Sequence, residues 1–170
     1  MAKVLIVMGS DSDLDKMKEA GAALEKLGID YEMRISSAHR VPERTAALAR
    51  DAEANGFSVI IAGAGLAAHL PGVIASFTTL PVIGVPIKSG ALKGVDALYA
   101  IVQMPQGIPV ATVAIDGGYN AGLLAGQMIA LNNLAVASKL KALRLEMAVK
   151  VEEKDLKLQA SAADNDGNEV

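Results

Sequence analysis

The chain has 170 residues, with 16 Lys or Arg, 19 Asp or Glu and a formal net charge of −3 at pH 7. This length favours one domain with a single core, and a mild negative charge without a basic cluster disfavours nucleic acid or an anionic membrane surface as a partner. The chain contains no Cys and two His, which excludes disulfides, thiolate nucleophiles and cysteine-ligated metal centres.

Strand-like and helix-like segments alternate along the sequence. The predicted strands are Lys3–Met8, Tyr31–Ile35, Ser58–Ile61, Pro81–Val85 and Pro109–Ile115. The predicted helices are Leu14–Leu27, Pro42 to about Asn55, Ala67–Ser76, Val95–Gln103, Asn120–Leu134 and Val136 to about Leu158. Strands that alternate with helices predict an α/β domain, in which helices cover both faces of a five-stranded parallel sheet.

The charges are distributed unevenly. No Asp, Glu, Lys or Arg lies between Glu53 and Lys88, but Gly, Pro and His interrupt this stretch, so it indicates buried elements rather than a membrane span. The opening apolar run is too short for a signal peptide. We therefore expect a cytoplasmic protein with one domain over residues 1–158, and a disordered tail over the small, polar residues 159–170.

The loop after the first predicted strand contains Gly9, Ser10, Asp11, Ser12 and Asp13. Glycine lets the backbone approach a ligand, and hydroxyls beside a helix start suit an anion or a ribose. The same residues also favour a simple helix cap. Both interpretations remain open from this segment alone.

The loop after the second predicted strand combines Ser36, Ser37, His39 and Arg40. A guanidinium can bind a phosphate through two parallel hydrogen bonds, and imidazole can carry a proton near neutral pH. This concentration of donors predicts a phosphorylated substrate, with a purely structural histidine as the alternative.

Residues 63–68 match a permissive form of the dinucleotide-binding fingerprint, and His69 follows. The match lies outside the first strand–helix–strand unit and has no acidic residue at the expected distance for a ribose. A flat ring lying on Gly65 is an equal possibility, and His69 could instead only begin a helix.

Several longer motifs together resemble the class I PurE family, the bacterial N5-carboxyaminoimidazole ribonucleotide mutases. The resemblance runs from about Val4 to Leu134 and depends on the segments at residues 8–13, 37–40, 67–72, 101–105 and 120–125. Animal-type relatives, which carboxylate aminoimidazole ribonucleotide with free CO2, carry Lys where Arg40 stands and lack the Ala-His-Leu-Pro-Gly segment. The chain is therefore similar to the mutase branch.

The resemblance implies a three-layer, flavodoxin-like domain with a C-terminal helix, assembled as a homo-octamer with sites at subunit junctions. It implies an isomerase of purine biosynthesis that needs no metal and no other cofactor. The substrate would be a phosphorylated imidazole ribonucleotide. Ser10, Asp13 and Arg40 would bind the nucleotide. Ser12 and Ser37 would help at the phosphate and Asp13 at the ribose.

The resemblance also assigns the chemistry to the second and third loops. His39 matches the catalytic residue, and Gly65, His69 and Leu70 match the pocket for the base and its carboxylate. Leu66 stands where most members have Gly. Three alternatives remain: a carboxylase that uses free CO2, a dinucleotide-dependent oxidoreductase, and a non-catalytic nucleotide-binding oligomer.

Overall fold

The protein, described from a computed structural model over residues 2–166, has five strands and six α-helices in that range. The strands are β1 Lys3–Met8, β2 Asp30–Ile35, β3 Phe57–Gly65, β4 Val82–Ile87 and β5 Ala111–Thr112. The helices are α1 Leu14–Leu27, α2 Pro42–Arg50, α3 Leu70–Ala75, α4 Val95–Val102, α5 Gly118–Ala130 and α6 Leu134–Asp166. All strand pairs are parallel, in the order β2-β1-β3-β4-β5. This order is that of the flavodoxin-like fold and confirms the predicted fold class.

Two hydrophobic cores, one on each face of the sheet, give the domain its three layers. Successive side chains of a strand point to opposite faces, and Val4 and Ile6 of β1 pack with α1, α5 and the start of α6. Leu5 and Val7 pack with α2, α3 and α4 on the other face. All four side chains are at most 1% exposed, and burying each contributes about 1.5–3 kcal/mol.

The structure corrects the predicted bounds of two strands and two helices. Strand β3 continues through Gly65, where the sequence prediction ended it at Ile61, because Gly and Ala carry no strand signature although they pair with β4. Helix α2 ends at Arg50, and α3 begins only at Leu70. Strand β5 is reduced to two residues, since this edge strand pairs only with Ile83 and Gly84 of β4.

Helix α6 is longer than the sequence prediction. It continues to Asp166 instead of ending near Leu158, because the small residues that suggested a disordered tail include several alanines, the strongest helix formers. The helix therefore covers residues 159–166, which the sequence prediction assigned to a tail, and residues 167–170 lie outside the described residues. Among the helices described, none combines the length and the apolar character that a bilayer crossing requires.

Candidate active site

The candidate site lies at the carboxyl edge of the sheet, beside the neighbouring strands β2, β1 and β3. Backbone pairing continues just past the strand ends, because the Ser36 N–H donates to the Met8 carbonyl at 2.8 Å and the Gly9 N–H donates to the Gly63 carbonyl at 3.2 Å. These bonds hold the following loops side by side. Ligands of open α/β sheets bind at this edge, where the strand order reverses.

The loops enclose a cavity of about 480 Å³. All nine residues singled out from the sequence line it: Ser10, Ser12, Asp13, Ser37, His39, Arg40, Gly65, His69 and Leu70. The structure therefore brings the candidate residues together, while their separate roles stay predictions.

Two imidazoles meet in this cavity. His39 lies in the loop between β2 and α2, and His69 directly precedes α3. The Nε2 atom of His39 is 2.6 Å from the Nδ1 atom of His69, and the rings meet edge to face at 82° with centroids 4.9 Å apart. One facing nitrogen must donate and the other accept, so the contact couples the tautomers of the two rings.

Arg40 connects the loops after β1 and β2. One Nη atom of its guanidinium donates to the Gly9 carbonyl at 2.9 Å, and its backbone N–H donates to the Ser37 hydroxyl at 3.3 Å. A guanidinium carries five N–H donors in a planar fork. The arrangement holds this fork at the cavity wall, where it can also bind an oxyanion of a ligand.

Asp13 is a buried carboxylate beside the hydroxyl groups of the first loop. Only 8% of the residue is exposed, and the Ser12 hydroxyl donates to its Oδ1 atom at 3.1 Å. Burial raises the pKa of the Asp13 carboxyl above its ordinary value, because desolvation disfavours the charged form. Asp13 stands at the N-cap of α1 without a side-chain capping bond, which disfavours the simple capping interpretation for this residue.

Ser36 does not belong to the site. Its hydroxyl is fully buried and lies 2.8 Å from the hydroxyl of Thr45 in α2. It therefore anchors α2 to the end of β2, and of the two serines in this loop only Ser37 reaches the cavity.

The third loop departs from the dinucleotide-binding arrangement. Gly63 and Gly65 lie within β3 rather than in a tight turn that opens a helix, which removes the geometry that the fingerprint requires. A Cβ atom on Gly65 would overlap the Ser89 hydroxyl, so glycine permits the loop after β4 to close the cavity wall. Leu66 adopts φ 53° and is 55% exposed, so the turn forms although a leucine occupies it.

Six further lining residues were not assigned a role in binding or catalysis by the family resemblance: Gly9, Ala38, Ala64, Leu66, Ala68 and Ser89. Most present backbone or methyl groups and carry no chemical signature in a sequence. Ser89 is the exception, since its position after the carboxyl end of β4 is the signal that could have identified it.

A larger depression, of about 970 Å³, lies at the opposite end of the sheet, where β4 and β5 begin. Its lining includes Arg50, Phe77 and Met128 but neither histidine. The smaller cavity, which holds both imidazoles, is therefore the candidate active site. Within the part of the chain that the structure describes, no three His, Asp or Glu side chains are grouped closely enough to hold a metal ion.

Comparison with known proteins identifies the family of the chain. The sequence profile of the AIR carboxylase family matches residues 3–150. The N5-carboxyaminoimidazole ribonucleotide mutase of Pyrococcus abyssi is 60% identical over 147 residues, which cover 86% of this chain and 84% of the relative. The Thermotoga maritima protein of the same name is 54% identical over 159 residues, covering 94% and 93%.

A solved structure, Treponema denticola PurE, superposes with a TM-score of 0.85 at 32% identity. The superposition covers 93% of this chain and 99% of that protein. Fold, sequence profile and close relatives thus agree over nearly the whole described chain. The chain belongs to the AIR carboxylase family.

Proposed function

We propose that the chain is an isomerase that converts N5-carboxyaminoimidazole ribonucleotide to 4-carboxyaminoimidazole ribonucleotide in purine biosynthesis. The single observation that carries the proposal is the contact between His39 and His69 in a cavity that also holds Arg40. Close relatives named for this reaction favour it over carboxylation with free CO2.

The reaction moves one carboxyl group between two atoms of the same ligand. Protonation of the exocyclic nitrogen breaks its bond to the carboxyl carbon and releases CO2. Carbon 4 of the electron-rich aminoimidazole then attacks this CO2 and loses its hydrogen as a proton. One proton is consumed in the first step and one is released in the second, so a single group that gives and takes a proton is sufficient.

His39 is the proton carrier in this proposal. Imidazole is the side chain whose ordinary titration lies nearest neutral pH, and general acid–base catalysis needs a group of this kind within hydrogen-bonding reach. The bond to His69 fixes the orientation of the His39 ring and the tautomer that it presents. His69 is thereby a positioning residue as well as part of the wall beside the carboxylate.

The remaining cavity residues divide between the polar and apolar parts of the ligand. The hydroxyls of the first loop, Ser37 and the Arg40 guanidinium bind the phosphate, and the Asp13 carboxylate accepts hydrogen bonds from ribose hydroxyls. Gly65 and Leu70 provide an apolar wall for the imidazole ring. An apolar wall also excludes water and holds CO2 between the two steps.

We also propose that the protein is a homo-octamer, with other copies covering two exposed apolar surfaces. The first surface is formed by Leu92, in the turn before α4, and by Val95, Tyr99 and Val102 of α4, whose exposed fractions run from 43% to 62%. Asp96 on the same helix has a buried carboxylate oxygen without a hydrogen-bond partner in the described part of the chain. Contiguous exposed apolar residues of this kind mark interaction surfaces.

The second surface is the distal part of α6. Val136 and Leu140 pack against the domain core, but Leu145, Val151 and Leu156 farther along are 64–68% exposed. A helix in a protein gains most of its stability when it packs an apolar face against a neighbour. We therefore propose that a second copy of this chain covers the distal part of α6.

Interconversion of the two carboxylated nucleotides tests the proposed activity. Purified protein is mixed with the 4-carboxy nucleotide, without ATP, and the ultraviolet absorbance is followed. We expect a change that depends on enzyme concentration, and we expect His39→Asn to slow it by about 10²–10⁴-fold while the nucleotide still binds. A folded wild-type protein that produces no change would overturn the proposed function.

A further inference from the structure

Asp116 lies just beyond β5, in the connection to α5, and has an unusual backbone conformation. Its φ angle is 58°, in the left-handed region that few residues other than Gly, Asn and Asp adopt readily. Its side chain is 22% exposed. The Oδ1 atom accepts a hydrogen bond from the Lys88 backbone N–H at 2.8 Å, and the Oδ2 atom lies 3.8 Å from the Lys16 Nζ atom.

These contacts fix the chain at the end of β4. The Asp116 backbone N–H donates to the Pro86 carbonyl at 2.8 Å, two residues before the Lys88 N–H that its carboxylate accepts. Asp116 therefore forms hydrogen bonds with the two residues that flank Ile87, the last residue of the strand. The next residue after Lys88 is Ser89, which lines the candidate active site.

The position of Ser89 determines the width of the cavity, because Ser89 lies close to β3. The place of a Cβ atom on Gly65 is occupied by the Ser89 hydroxyl and lies 3.2 Å from the Ile87 carbonyl. Gly65 and Ser89 are therefore packed closely against each other on two sides of the cavity. A shift of the Lys88 backbone would move Ser89 and change the width of the cavity beside Gly65.

We infer that Asp116 is a positioning residue for the ribonucleotide site, acting through the Lys88 backbone to hold Ser89 against Gly65. This inference rests on the proposed function. Asp116 is not among the residues that line the cavity, so it acts on the ligand only through this connection. A hydrogen bond to a charged group is the stronger kind, which suits a carboxylate for fixing a single backbone N–H.

Two substitutions at one position separate the hydrogen bond from the backbone conformation. Asp116→Gly accepts the positive φ without strain but removes the acceptor for Lys88. Asp116→Asn keeps an acceptor oxygen and a residue type that tolerates this φ. Asp15→Asn is the matched control, because Asp15 faces Lys18 at 3.9 Å on the outer surface of α1 with a side chain that is 96% exposed.

Steady-state kinetics and amide exchange at Lys88 provide the two measurements. We expect Asp116→Gly to raise KM about tenfold with kcat changed less than about threefold, and to speed exchange of the Lys88 amide about tenfold or more. Asp15→Asn should remain within about twofold of the wild type in KM. The KM of Asp116→Asn should lie between those of the wild type and Asp116→Gly, because Asn keeps the acceptor oxygen but loses the charge. A merely structural role would instead lower the folded fraction, and with it kcat, at constant KM.

The outcomes distinguish this inference from the proposed function. Folded Asp116→Gly with wild-type KM, or with wild-type exchange at Lys88, overturns the positioning role. An inactive wild-type protein overturns the proposed function instead, and the exchange measurement on Lys88 still reports whether the Asp116 contact holds the backbone.

Discussion

The Nε2 atom of His39 lies 2.6 Å from the Nδ1 atom of His69, although 30 residues separate them in the chain. His39 follows β2 and His69 follows β3, and β1 lies between these two strands, so both loops reach the same edge of the sheet. The contact needs one N–H and one bare nitrogen. In the proposed mechanism, His69 therefore sets the ring orientation and tautomer of His39.

Two substitutions of His69 test this positioning role, because they place a polar atom at different points relative to His39. The polar atoms of an Asn side chain lie near the Nδ1 position of the imidazole, whereas those of Gln lie nearer the Nε2 position. Because Nδ1 is the atom that meets His39, we expect His69→Asn to keep kcat within about tenfold of the wild type and His69→Gln to lower it about 10²-fold. Equal kcat values for the two variants would contradict the positioning role.

Arg40 is expected to act mainly in binding. Replacement by Ala removes the planar fork, and replacement by Lys keeps the charge without the paired geometry. We expect Arg40→Ala to weaken nucleotide binding by about 10–100-fold and Arg40→Lys by less, measured by calorimetry with the 4-carboxy nucleotide. Arg50→Lys, at the opposite end of the sheet over the Phe77 ring, is the control, and comparable losses for the two lysine variants would argue against a phosphate contact at Arg40.

Much of the site could be predicted because parallel strands deliver their following loops to one edge. The strand β1 and the polar residues that follow it were visible as an apolar run and a cluster of hydroxyl and acidic side chains. The contact between His39 and His69 could not be predicted, since it depends on the order of strands in the sheet. The place of Ser89 in the cavity wall and the role that we infer for Asp116 were not predicted for the same reason, because both depend on neighbours distant in sequence.

The extent of β3 and of α6 was misjudged for local reasons. Gly63 has a place in β3 because a Cβ atom there would overlap the Met17 sulfur, and this close packing leaves no hydrophobic signature in the sequence. The end of α6 lies in alanine-rich chain, where composition favours both helix and tail. Tertiary contacts decide whether such a segment forms a helix.

We expect the Asp13 carboxylate to lower the stability of the fold while it strengthens nucleotide binding. Since burial raises the pKa of this carboxyl, the native state binds its proton more readily than the unfolded chain does. The stability that this group contributes is present at low pH and is lost as the pH rises through the raised native pKa. We expect Asp13→Asn to raise Tm at about pH 8, with a difference that shrinks toward about pH 4.

The same variant should bind the nucleotide about tenfold more weakly, because a carboxylate acceptor for the ribose is lost. Asp15→Asn is the control, since the Asp15 side chain is 96% exposed on the outer surface of α1, where it faces Lys18 at 3.9 Å. A lower Tm for Asp13→Asn at about pH 8 would show that the Asp13 carboxylate stabilises the fold.

The proposed octamer depends on the exposed apolar residues of α6. We expect the double variant Leu145→Lys and Leu156→Lys to reduce the molar mass measured by light scattering from that of an octamer to that of smaller species, because charge on this face opposes its burial. Replacing two charged residues of the same helix, Glu146→Gln and Lys157→Gln, should leave the mass unchanged. A wild-type protein that is monomeric at about micromolar concentration would contradict the assembly.

Carbon isotope retention tests whether the protein isomerises the nucleotide with CO2 held in the cavity. The N5-carboxy nucleotide, labelled at its carboxyl carbon, is converted in a buffer that contains unlabelled bicarbonate, and the 4-carboxy product is analysed by mass spectrometry. We expect most of the label to remain in the product, because the CO2 released beside His39 is attacked before it escapes. A product with the isotopic composition of the bicarbonate would contradict isomerisation and indicate carboxylation by free CO2.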